Sequence, residues 1–111
     1  MATEFELQLT TDTDAALITV VGELDIATCA ELDDAVASVG PKLDITLDLA
    51  GVTFIDSTSL QTIHGARTSL AAAGRRLVLA NPSHIVMRVL TLTGLLRSFE
   101  LASGPGPVPQ G

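Results

Sequence analysis

Seven consecutive residues, Leu43-Asp44-Ile45-Thr46-Leu47-Asp48-Leu49, alternate apolar and polar without a fault. Such a run commits a chain to a strand with one face against a core and the other carrying Asp44, Thr46 and Asp48. Strands covered on both faces, as in doubly wound sheets, are apolar throughout. The alternation therefore predicts a sheet with its helices mainly on one side.

The flanking segments supply those helices and further strands. Phe5 to Leu9 alternates with period two, Thr10 to Asp14 reads as a turn, and Ala16 to Val21 is an apolar, β-branched run closed by Gly22, which together predict a hairpin. Thr28-Cys29-Ala30-Glu31 has the spacing of a capping box, and Cys29, Leu32, Val36 and Val39 follow at helical steps up to Gly40-Pro41. Leu60, Ile63, Ala66, Leu70 and Ala73 mark a second helix, stopped by Gly74. Leu77 to Ala80 has the length of a strand. Asn81-Pro82 predicts an N-cap with proline in the first helical position, Ile85, Val89 and Leu92 form the apolar stripe, and Gly94 ends the helix. Ser98 to Leu101 reads as a last short strand. The predicted fold class is α/β, in the order β-β-α-β-α-β-α-β, with helix-linked strands parallel in a mixed sheet of four to five strands. One domain is expected over residues 1–102, followed by a Gly/Pro-rich tail, 103–111, with too little apolar surface to order itself.

Composition excludes several classes of function. A chain of 111 residues that is 47% apolar suffices for one core. No apolar run approaches the ~18 residues of a membrane span, and the acidic start Met1 to Glu6 is unlike a signal peptide, so a cytoplasmic protein is expected. The single Cys29 has no internal disulfide partner and fits a reducing compartment. Thirteen acidic against six basic residues, a net charge of -7, disfavour nucleic acid and anionic membranes and favour a basic protein surface.

The chemistry concentrates where Val52 to Ile55 gives way to Asp56-Ser57-Thr58-Ser59-Leu60, a strand-to-helix junction with three hydroxyls in a row. Helix capping explains such residues by itself. Nucleophilic catalysis at Ser57 would need a base, but His64 lies seven residues along the same helix, a rise of ~10 Å, against the ~3 Å of a proton transfer. Ile55 and Ser59 replace the glycines of a nucleophile elbow. His64, His84 and Cys29 show no metal-ligand spacing, and neither glycine loop for phosphate is present, so no metal, no cofactor and no enzymatic activity is expected. Phosphorylation of Ser57 is coherent instead. It would place about -1.5 to -2 charges at a helix N-terminus, which tolerates an anion, beside Asp56 and near Asp25 if the strand ends are neighbours.

Gly22-Glu23-Leu24-Asp25 with Thr28, the run Leu47 to Leu60, and Leu92-Thr93-Gly94-Leu95 together resemble the STAS family of bacterial anti-sigma factor antagonists, over about Phe5 to Leu101. The resemblance implies a binding module whose unphosphorylated form captures an anti-sigma factor and frees a sigma factor. That partner is also a serine kinase; it would phosphorylate Ser57, and a serine phosphatase would reset the switch. Asp25, Asp56, Ser57, Thr58, Ser59 and Leu60 are the partner-binding residues so implied. Ser59 stands where the family usually has glycine, and a terminal helix common in relatives is replaced by Gly104 to Pro109. The alternative is a STAS subunit of a stress-signalling scaffold or lipid transporter that is not phosphorylated, and self-association as a weak homodimer stays open.

Overall fold

The computed structural model describes residues 4–103. Among them, β1 (Glu6–Thr11) and β2 (Ala15–Leu24) form the expected hairpin, its turn held by Asp12, whose Oδ1 accepts from the N–H groups of Asp14 and Ala15 at 2.8 and 2.9 Å. There follow α1 (Cys29–Val39), β3 (Asp44–Ile55), α2 (Ser57–Ala72), β4 (Leu77–Ala80), α3 (His84–Thr93) and β5 (Glu100–Ala102). The five strands lie in the order β1-β2-β3-β4-β5, antiparallel between β1 and β2 and parallel from β2 onward. The parallel strands β2 and β3 end side by side at Leu24 and Ile55, so the two junctions that follow them sit at one end of the sheet, beyond the last pair of β3 with β4 at Asp48 and Ala80.

The alternation in β3 does what its pattern demands. Ile45, Leu47 and Leu49 are buried beside Ala16, Ile18 and Val20 of β2 and Leu77 and Leu79 of β4, while Asp44, Thr46 and Asp48 are partly exposed on the other face. Leu32 of α1, Leu60, Ile63 and Leu70 of α2, and Val86 and Leu90 of α3 join the same apolar cluster, so the helices cover one face of the sheet.

Three local expectations are corrected. Thr28 does not cap α1 as the first half of a capping box, because its hydroxyl is spent on the preceding turn. The N-cap of α3 is Ser83, whose Oγ accepts from the Val86 N–H, not Asn81. Asn81 takes a left-handed φ of 50°, tolerable for asparagine, and its N–H donates to the Ala102 carbonyl while that of Ser83 donates to Leu49, so the chain is stitched to the sheet before the helix can begin. Leu92 is 75% exposed, since the buried stripe of α3 is centred on Val86 and Leu90.

Beyond the alternating run, the strand β3 continues to Ile55 through two bulges. Thr19 and Val21 of β2 pair with Asp48 and Gly51, and Gly22 and Glu23 pair with Val52 and Phe54, so β3 holds one extra residue at each step. Each extra residue shifts the side-chain phase, and the inward positions become Val52 and Ile55. The first bulge brings the Gly51 backbone against Val21. A Cβ on Gly51 would stand 2.9 Å from Val21 Cγ2 and 3.4 Å from Val21 Cα, and a β-branched side chain has little freedom to withdraw.

Gly51→Ala is therefore expected to destabilise the fold by about 1–3 kcal/mol, as overpacking does, measured by urea unfolding. Combined with Val21→Ala it should cost less than the sum of the two single changes. Strict additivity would mean that this contact is not what requires glycine.

Candidate functional site

The turn after β2 is built by Asp25 and Thr28 acting on one another. Asp25 Oδ1 accepts from the N–H groups of Ala27 (2.9 Å) and Thr28 (3.1 Å), and its carbonyl accepts from Cys29 (2.7 Å). The Thr28 hydroxyl accepts from the Asp25 N–H at 2.9 Å and donates to the Glu23 carbonyl at 2.8 Å. Thus the G-E-L-D segment and Thr28 form one hydrogen-bonded unit, in which Asp25 satisfies the N–H groups of Ala27, Thr28 and Cys29 just ahead of α1, while the Glu31 N–H donates to the Thr28 carbonyl rather than its hydroxyl.

The junction after β3 is built by Asp56. Its backbone is extended (φ -109°, ψ 176°) and its Oδ1 accepts from the Ser59 N–H at 2.8 Å, an N-cap for α2. The second oxygen, Oδ2, accepts from the Ile26 N–H at 3.2 Å, and the Asp56 N–H donates to the Leu24 carbonyl at 3.3 Å. One residue therefore joins the start of α2 to the turn before α1, and it places Asp25 and Asp56 side by side. Burial works against the charged form of Asp56, but the N–H and hydroxyl of Ser59, with the Ile26 N–H, outweigh it and hold the carboxyl below its ordinary value.

Ser57 and Thr58 occupy the first two positions of α2 with exposed side chains. Ser59 and Leu60 do not share that surface. They are 0% and 1% exposed: Leu60 belongs to the core, and the Ser59 hydroxyl is buried beneath the first turn of α2. Ser59 acts through its backbone, as the donor to Asp56. His64 is partly buried with its ring edge-on to Phe99, centroids 6.0 Å apart, and His84 is exposed at the start of α3. A groove of about 610 Å³ between α1 and α2 has Asp33 as its single ionisable lining residue and includes neither Ser57 nor Thr58. Among the described residues no helix is long and apolar enough to cross a membrane.

Two residues at this end were missed from sequence. Ile26 is 73% and Phe54 45% exposed, and both flank Asp56. Ile26 carried a signal, an apolar residue in a turn between two acidic motifs; Phe54 carried none, because its orientation depends on the second bulge.

The geometry makes stability depend on acid. Asp56 has a lower pKa folded than unfolded, so its contribution is complete above the unfolded value of ~3.9 and is lost as pH falls through the folded one. Asp56→Asn retains an acceptor but cannot ionise, and it is expected to flatten the loss of stability below about pH 4. Some slope should remain from Asp12, whose carboxyl is likewise lowered by the Asp14 and Ala15 N–H groups. Urea midpoints across the acid range measure this, and a slope identical to that of the unsubstituted chain would contradict the bonding described.

Comparison with known proteins agrees with this architecture. The STAS domain model matches residues 6–105. The Anti-sigma-B factor antagonist of Listeria monocytogenes is 34% identical over 97 residues, covering 86% of this chain and 85% of its own. The crystal structure of an anti-sigma factor antagonist from Mycobacterium paratuberculosis superposes with a TM-score of 0.76 at 22% identity, covering 89% of this chain and 86% of that one. The Bacillus cell fate determinant SpoIIAA in its phosphorylated form superposes with a TM-score of 0.71 at 21% identity, covering 92% of each chain. With its sheet order, its two motif-built turns and a matching family model over nearly its whole length, the chain belongs to the STAS domain family.

Proposed function

We propose that this protein is a cytoplasmic anti-sigma factor antagonist, binding an anti-sigma factor that is also a serine kinase and being switched off by phosphorylation at Ser57. The observation that carries the proposal is the placement of Ser57. Its hydroxyl is exposed at the first position of α2, immediately after a carboxylate already satisfied by two backbone N–H groups. A phosphate there is accommodated by the helix N-terminus, and the bonds that shape the turn are made elsewhere. Modification then changes charge and leaves the fold alone.

Asp25, Asp56, Ser57 and Thr58 are the proposed partner-facing residues, and the relative from Listeria monocytogenes named as an antagonist supports the role. In the unmodified state the carboxylates suit a basic partner surface. A phosphate beside them brings the local charge to a density that a partner matched to the unmodified site does not neutralise, and its added bulk intrudes on a fitted contact. A serine phosphatase returns the chain to its binding state. Ser59 and Leu60 serve by fixing the first turn of α2 from inside.

Incubation with the cognate kinase and ATP, followed by mass-spectrometric mapping, is expected to place the phosphate on Ser57. Ser57→Ala should retain binding to the anti-sigma factor, and Ser57→Asp should weaken it by roughly tenfold or more, as a like charge at an interface does. Transfer to Ser83 or Ser98 in a chain with Ser57 intact, or equal affinity of the two variants, would contradict the proposal.

A further inference from the structure

We infer that Ile26 and Phe54 form the apolar anchor of this binding end, and that the partner surface receiving them is an apolar pocket rimmed by Lys or Arg side chains. The inference rests on the proposed antagonist function and specifies what its partner must present. A scattered exposed apolar side chain needs no explanation. These two are not scattered, since both are fixed around the same carboxylate. The Ile26 N–H is bonded to Asp56 Oδ2, which holds the turn while its side chain stays 73% exposed. Phe54 lies two residues before Asp56, and the second bulge of β3 decides its direction. From the buried Val52, regular alternation would turn Phe54 inward; the extra residue brings Ile55 to the core and leaves Phe54 45% exposed. Leu9, Leu92 and Leu101, the other large exposed apolar residues among those described, lie on β1, α3 and β5.

Charge identifies the occupant. Glu23 is the register partner of Phe54, Asp25 precedes Ile26, and Asp56 lies between the two anchors. No Lys or Arg occurs before Lys42. An anionic lipid surface or a nucleic acid would meet these carboxylates unfavourably, and so would a second copy of a chain carrying a net charge of -7. A protein surface combining an apolar pocket with cations answers both features. Because the hydrogen-bonded turns hold the anchors in place beforehand, little ordering entropy is lost on binding.

The test is calorimetric titration of the intact chain with the purified anti-sigma factor from the same organism. Ile26→Ala and Phe54→Ala are each expected to weaken binding by ~10- to 100-fold, the range of anchor residues. Ile26→Val and Phe54→Leu should recover most of it, and Leu92→Ala, as exposed as Ile26 but on α3, should stay within about twofold, as surface substitutions do. Affinity should also fall as sodium chloride is raised. If the wild type binds and both alanine variants bind equally well, the anchor is overturned and the antagonist function stands. If the wild type does not bind, the antagonist function itself fails. Thermal unfolding of each variant separates lost contact from lost fold, and Ile26→Ala, altering only an exposed turn residue, keeps the question decidable should Phe54→Ala unfold.

Discussion

A single carboxylate organises the end of this molecule where β2 and β3 finish. Asp56 caps α2 through Ser59 and reaches across to the Ile26 N–H, so two turns separated by 30 residues of sequence are held by the two oxygens of one side chain. Capping alone would need only the first bond. The second makes the junction after β3 and the junction after β2 one rigid surface, on which Ser57 is the exposed hydroxyl. Capping and signalling are therefore not competing roles: the residue that satisfies the helix start also leaves its neighbour reachable and already positioned.

The bulged end of β3 gives that surface its second component. Gly51 lets the strand pass close to Val21 at the first bulge, and the second releases Phe54 from the core without costing the sheet its inward Ile55. The strand so lengthened delivers Asp56 directly beyond Leu24 of β2, within reach of the turn it clamps. Backbone distortion, surface chemistry and carboxylate bonding follow one another along β3 and the residue that succeeds it.

Much of this was legible in the sequence, for identifiable reasons. The alternation of Leu43 to Leu49 and the helical spacings around it follow from local geometry, and they gave the element order and the covered face. The hydroxyl junction was legible because oxygen-bearing side chains gather where helix N–H groups lack partners. What escaped depends on distant contacts. Thr28 looked like a helix cap, but the Glu23 carbonyl and the Asp25 N–H, fixed by the end of β2, take its hydroxyl. Asn81 looked like the start of α3, but the carbonyls of Leu49 and Ala102 hold residues 81–83 to the sheet first. Ser59 and Leu60 belonged to the motif without belonging to the surface, a distinction that only the packing of α2 makes. A glycine inside a strand pattern often marks a bulge, and Gly51 was the available hint that β3 would change phase.

Amide hydrogen exchange at Ile26 and Ser59, compared between the unmodified chain and the chain phosphorylated on Ser57, reads the clamp directly. Both N–H groups donate to Asp56 in the unmodified fold. If phosphorylation acts through charge on a preformed surface, both amides keep their protection while partner binding is lost. Faster exchange at either one on phosphorylation would mean that the switch works by breaking the Asp56 bonds.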